Sequence, residues 1–179
     1  DLQRLLNTAA RIEGHPDNTA ACILGGITAS SSVGARVLWA RVPAHGSLRA
    51  VVAVPDFPVS TRAARNVLPG NVPHSDAVFN VGRTALLVAS LASGNYANLR
   101  YAFDDRLHQP YRSGLVPGMV NAMKAACDAG AIGSYMSGAG PSIMALIGGD
   151  GPAEPVALAM REAFARARVN ADTMVLPMA

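Results

Sequence analysis

The chain has 179 residues, 50% of them hydrophobic and 15% charged, enough for the packed core of one domain or for a portion of a two-domain fold. Its net charge of +3 comes from fourteen arginines and one lysine against twelve acids, but no basic run is interleaved with aromatics, and aromatics are only 5%, so nucleic acid is not an expected partner. No stretch approaches eighteen uninterrupted apolar residues and no signal peptide opens the chain, so no membrane span is expected and the cytoplasm is the expected compartment.

Taken in order, Leu2, Leu5, Leu6, Ala9 and Ala10 share one face and predict a helix over 2–12. This pattern begins immediately after Asp1, with no leading strand, and a preceding segment is therefore expected. Pro16 suits the first position of a second helix, with Asp17 and Asn18 in its first turn, and Gly25 and Gly26 stop it. Strands follow over 27–32 and 36–42, and Pro43-Ala-His-Gly46 reads as a linker. The apolar run 48–54 has the length of a buried strand and ends at Pro55-Asp56.

Ser60 or Thr61 can cap a short helix closed by Pro69-Gly70. Ser75 or Asp76 is expected to open a longer one through Leu91, with Val78, Val81, Ala85 and Val88 as its apolar stripe, and a further helix is expected over 96–107. A helix over 119–129, short strands over 132–136 and 143–147, an amphipathic helix over 155–169 and a strand over 171–177 complete the pattern. Cys22 and Cys127 lack any CxxC or neighbouring His and read as small core residues. The order predicts an α+β layer, an antiparallel sheet backed by helices over 46–179, with residues 1–45 as the tail of another domain.

Four features can carry chemistry. His15, Asp17 and Asn18 crowd a helix start, although a well-made cap explains them locally. Thr61 and Arg65 lie four apart on one helix face, at the end of a buried strand. Arg112 sits in a loop-forming stretch, and the Ser137-Gly-Ala-Gly-Pro-Ser142 loop has two glycines that can turn backbone N–H groups into an anion nest. A solvated arginine, a capping threonine and a tight hairpin are the plain alternatives. A pair of arginines can clamp a carboxylate, Asp17 can hold an ammonium and Asn18 can bond a hydroxyl, and together these describe a site for a hydroxylated amino acid.

The strings EGHPDN at 13–18 with LGG at 24–26, PDFPVSTRAAR at 55–65, DAVFN at 76–80, DRLHQPYR at 105–112 with PG at 117–118, and SGAGPS at 137–142 resemble, in this order, the homoserine kinases of the GHMP kinase superfamily. The resemblance implies the end of a ribosomal-S5-like N-terminal domain followed by a ferredoxin-like C-terminal domain. It implies transfer of the ATP γ-phosphoryl group to the side-chain hydroxyl of L-homoserine, with Mg²⁺. Arg65 and Arg112 would bind the substrate carboxylate, His15 and Asp17 would assist in substrate binding, Asn18 would orient the hydroxyl, and Thr61 would lie beside the reacting groups. Ser137, Gly138, Ala139 and Gly140 would form the phosphate-side loop.

The family's ATP-cupping motif, P-x-x-x-G-L-G-S-S-A, does not occur in this sequence. The position where the superfamily often carries a Mg²⁺-binding Glu falls near Asn7, which leaves Glu13 as the nearest carboxylate and the candidate metal ligand. A kinase acting on another small alcohol is the rival reading within enzymes, and a non-catalytic amino-acid-binding module the rival outside them. A homodimer through one face of the α+β layer is compatible with the pattern.

Overall fold

The computed structural model describes residues 1–42 and 48–177. The linker expected at Pro43–Gly46, and with it the expected domain boundary, lies outside the described residues. Helix α1 (Leu2–Glu13) and helix α2 (Asp17–Leu24) precede a hairpin of β1 (Ile27–Val33) and β2 (Arg36–Val42), paired antiparallel from Ile27 opposite Val42 to Val33 opposite Arg36. Asp1 caps α1 by accepting from the Gln3 N–H, and Gly14 closes it in the left-handed region at φ 89°. Pro16 is the N-cap residue of α2 rather than its first helical residue, and α2 packs on α1 through Leu6, Ala10, Ala20 and Leu24. The side-chain amides of Gln3 and Asn7, one turn apart, join α1 to β2: Gln3 Nε2 donates to Val37 O and Asn7 Oδ1 accepts from Val37 N, each at 2.9 Å.

The second layer is a four-stranded antiparallel sheet. It consists of β3 (Leu48–Pro55), β4 (Gly133–Met136), β5 (Ile143–Gly148) and β6 (Ala171–Pro177), in the spatial order β4-β5-β3-β6. Numbered within this layer, the order is 2-3-1-4, with one helical connection between the first two strands and α8 between the last two. That is the β-α-β-β-α-β plan of a ferredoxin-like fold, here with an enlarged first crossover. Strand β3 is central and buries Leu48, Ala50, Val51 and Ala53, which explains a sequence that is apolar except at Arg49. One face of the sheet is covered by α7 (Met119–Asp128) and α8 (Ala153–Arg166). Phe164, Met160, Val156 and Met119 fill the gap against Ile143, Ile147 and Val51.

The enlarged crossover keeps the expected short helix and departs from the sequence pattern beyond it. Helix α3 (Thr61–Asn66) is short, and its cap is Ser60, whose Oγ accepts from Ala63 N at 3.1 Å. Helix α4 (His74–Ser93) starts one residue before Ser75, after Pro73, and Asp76 pairs with Arg106 instead of capping. The expected stripe Val78, Val81, Ala85, Val88 is turned outward, Val81 being 70% exposed, while Leu86, Leu87, Ser90 and Leu91 supply the packed face. The helix expected over 96–107 is only a 3-10 turn at Tyr96–Asn98 and α5 (Leu99–Ala102), and beyond it the Asp105 side chain accepts from the backbone N–H groups of Leu107, His108 and Gln109 and holds 105–109 as a turn. The four-residue α6 (Gln109–Arg112) follows. Cys22 and Cys127 are free and exposed rather than core residues. Among the described residues, no helix is long and apolar enough to cross a membrane.

Candidate functional site

A cavity of about 820 Å³ opens between the start of α2, helices α3 and α4, the 103–112 stretch and the loop after β4. It is large enough for a small metabolite with room to spare. Glu13, His15, Asp17, Asn18, Thr61, Arg65, Arg112, Gly138 and Ala139 all line it. Five separate sequence stretches therefore meet at one place.

At the α2 end the imidazole of His15 lies between two carboxylates. Its Nδ1 bonds Asp17 Oδ1, and its Nε2 is 3.8 Å from Glu13 Oε1. Asp17 Oδ1 also accepts from Asn18 N at 2.7 Å, so this oxygen is engaged and Oδ2 remains for an incoming donor. The Asn18 side chain makes no hydrogen bond among the described residues and is exposed. The candidate metal ligand Glu13 has no cluster around it. Among the described residues no group of three or more His, Cys, Asp or Glu is placed to hold a metal ion. Asn7 is occupied in joining α1 to β2: its Oδ1 accepts from Gln3 Nε2 and from Val37 N, each at 2.9 Å.

On the opposite wall, Ser60 does the capping, which leaves the Thr61 hydroxyl unspent one position into α3. One turn later Arg65 is exposed and makes no hydrogen bond among the described residues. Arg112 differs: its Nε donates to Ala64 O at 3.1 Å and its Nη1 to Gly138 O at 3.0 Å. It fastens α3 to the glycine loop and lines the cavity, and its Nη2 makes no hydrogen bond among the described residues. The glycine loop closes on itself through Ser137 N to Ser142 O and Gly140 N to Ser137 O, both at 2.9 Å, with a cis peptide at Gly140–Pro141. Ser137 and Gly140 are not cavity-lining and their N–H groups are used within the loop. The expected four-residue nest therefore narrows to Gly138 and Ala139.

The structure adds residues that the sequence pattern left unassigned. Asp105 is the hub of its loop. Its Oδ1 accepts from Leu107 N at 2.8 Å and Asn80 Nδ2 at 2.6 Å, and its Oδ2 accepts from His108 N at 2.9 Å and from Gln109 N. Burial pushes this carboxyl up, but the N–H groups of Gln109, Leu107 and His108 and the Asn80 amide outweigh it and hold the group below the ordinary range. Gln109 in turn donates to Phe103 O at 3.1 Å and accepts from Met136 N at 2.9 Å. Phe103 stacks on Tyr135, centroids 4.7 Å apart, on the cavity wall, and burial raises the Tyr135 phenol so that it stays neutral. From α4 come Asn80, Arg83, Thr84, Leu87 and Leu91. Their helical spacing of three, four and seven was the available signal, masked by the stronger valine stripe on the outer face.

The GHMP kinases C-terminal family model matches residues 86–166. Nearly half of the chain thus matches the GHMP kinase C-terminal domain. The chain is 44% identical over 174 residues to the homoserine kinase of Desulfitobacterium hafniense, covering 97% of this chain and 58% of that protein. To the homoserine kinase of Moorella thermoacetica it is 46% identical over 166 residues, 93% of this chain and 55% of that protein. The crystal structure of homoserine kinase from Cytophaga hutchinsonii superposes with a TM-score of 0.85 at 34% identity, over 92% of this chain and 52% of that one. The chain thus spans a little over half the length of the relatives it matches, and its ferredoxin-like layer is the GHMP kinase C-terminal fold.

Proposed function

We propose that this chain forms the homoserine-binding part of a homoserine kinase, which transfers the γ-phosphoryl group of ATP to the side-chain hydroxyl of L-homoserine and yields O-phospho-L-homoserine. The observation that carries the reading is the single cavity that gathers the groups a hydroxylated α-amino acid requires. The guanidinium of Arg65 and the remaining Nη2 of Arg112 take the carboxylate. Arg112 is already immobilised by two backbone carbonyls, so little rotamer freedom is lost when substrate binds. Asp17 Oδ2 takes the ammonium, with His15 holding the carboxylate in place. Asn18 and Thr61, both with unspent side chains, orient the attacking hydroxyl.

No residue of the cavity is a strong base for that hydroxyl. This suits phosphoryl transfer, in which positioning and charge neutralisation supply most of the rate. The Gly138 and Ala139 N–H groups suit an anionic oxygen on the loop side. The residues described do not by themselves make a Mg²⁺ site or an ATP cradle, and no step is assigned to a metal held by this chain. The relatives' names support ATP as phosphoryl donor and a role in threonine synthesis. Residues 1–45 fit the end of the superfamily's N-terminal domain and 46–179 its C-terminal domain.

The test is ³¹P NMR detection of O-phospho-L-homoserine when the longest polypeptide carrying this chain is incubated with ATP, Mg²⁺ and a panel of L-homoserine, mevalonate and a hexose. Selective phosphorylation of homoserine is expected. Turnover of another alcohol with homoserine untouched would overturn the assignment, and homoserine binding without turnover would make the protein a binding module.

A further inference from the structure

Arg83 is placed at the centre of the cavity-lining face of α4, one turn after Asn80 and one before Leu87. Its side chain is only 30% exposed, yet among the described residues its guanidinium makes no hydrogen bond. Nε is buried without an acceptor. The nearest carboxylate oxygen, Asp104 Oδ2, is 3.8 Å from Nη2, beyond hydrogen-bond range, and belongs to a side chain 56% exposed. The remaining neighbour is the Phe79 ring, 4.5 Å from the guanidinium carbon, and that ring also carries Arg106 at 3.9 Å. A guanidinium has five N–H donors, and holding one mostly out of water with none of them paired is costly.

The charge pattern of the cavity says what fits against it. Its lining carries the carboxylates of Glu13, Asp17, Asp104 and Asp105 and the guanidiniums of Arg65, Arg83 and Arg112. Asp105 is consumed by its own loop and Arg112 spends Nε and Nη1 on two carbonyls, which leaves acids at the α2 end and in the 103–105 turn, and among the described residues unpaired guanidinium donors on Arg65, on Arg83 and at Arg112 Nη2. Such a mixed field favours a zwitterion over a free polyanion. We propose that Arg83 is a specificity-determining residue that donates to the carboxylate of the amino-acid substrate, as a third guanidinium beside Arg65 and Arg112. This rests on the reading of the cavity as a hydroxy-amino-acid site. A carboxylate has about four lone-pair sites, so it can accept from all three arginines.

The experiment compares two ligands on the whole chain by ligand-observed NMR, which reads millimolar affinities: L-homoserine, and 3-aminopropan-1-ol, which is the same molecule without its carboxylate. In Arg83→Met, homoserine binding is expected to weaken about 10- to 100-fold, the range of a lost hydrogen bond to a charged group, while 3-aminopropan-1-ol binds within about twofold of the native chain. Arg83→Lys, which keeps the charge but not the planar fork, falls between. Unchanged homoserine binding in Arg83→Met would overturn the role of Arg83 and leave the homoserine site standing. Equal weakening for both ligands, with a lowered melting temperature, would assign Arg83 to packing against Phe79 and Asp104 and also overturn it. A native chain that binds neither ligand would overturn the homoserine site and the Arg83 role with it.

Discussion

Asp105→Asn is the substitution that best separates the loop architecture from the substrate chemistry. The asparagine keeps one oxygen, which can still serve two of the four donors, but its NH₂ replaces the other oxygen and faces two N–H groups. Two hydrogen bonds to a charged acceptor are lost, at about 1.5–3 kcal/mol each, and relief of the buried charge and loop relaxation return part of this. The net loss is about 2–4 kcal/mol. With a urea slope of about 2 kcal/mol/M, the midpoint falls by about 1–2 M.

The pH dependence supplies a sharper check. Because the folded-state pKa of Asp105 lies below its unfolded value, its contribution is fully present above the unfolded value of about 3.9 and is lost as pH falls through the folded one. The native and Asp105→Asn midpoints, followed by circular dichroism, should differ by a constant amount between about pH 7 and 5 and converge below about pH 4. Identical midpoints at neutral pH, or a difference that persists unchanged into acid, would refute the account of the loop.

Three further substitutions test the distinction between spent and unspent groups and the fit of the aromatic wall. Arg112→Lys cannot reach both Ala64 O and Gly138 O with one nitrogen, and should cost about 1–3 kcal/mol in urea unfolding. Arg65→Lys, exposed and without a protein partner, should stay within about 0.5 kcal/mol of the native chain. Gly133→Ala would place a Cβ 2.3 Å from Phe103 Cδ2 and 2.7 Å from its Cε2. Moving that ring off Tyr135 should destabilise by about 1–3 kcal/mol and shift the Tyr135 signals in NMR, whereas an unperturbed Tyr135 would show that the wall is not close-packed.

Much of the fold is written in local patterns. Leu48–Pro55 is apolar except at Arg49 because β3 is central in its sheet, and α8 shows its packed face in Val156, Met160 and Phe164 at helical spacing. What local patterns miss is rotation and competition. Helix α4 has two plausible inner faces, and the valine stripe outweighs Leu86, Leu87 and Leu91 in sequence although the latter meet Val42, Leu48 and Leu99 in space. The 96–107 segment has helical composition, but its helix stops at Ala102 and the Asp105 carboxylate organises the turn that follows. The cysteines read as core by residue type, yet Cys22 and Cys127 fall on the outer faces of α2 and α7. For the site, residue type and motif brought out Asp17, Asn18, Thr61, Arg65 and Arg112. They left out Arg83, which is marked only by what it lacks in three dimensions.

The arrangement also explains why the 105–112 stretch holds so many polar side chains when few of them are free. The site's walls are short elements: α3 has six residues and α6 four, lengths at which a helix in water has little stability of its own. Asp105 ties the stretch to α4 through Asn80, Gln109 ties it to the end of β4 through Met136 N, and Arg112 ties it to α3 and to the glycine loop. Four otherwise independent pieces thereby move as one. A reaction that gains its rate from positioning depends on errors well under 1 Å at the reacting atoms, and separate surface loops would not hold that tolerance. The polar cross-links are therefore as much a condition of the chemistry as the groups that touch substrate. Spent donors at Arg112, Asn80 and Gln109 set the frame for the ligand contacts proposed for Asn18, Thr61, Arg65 and Arg83.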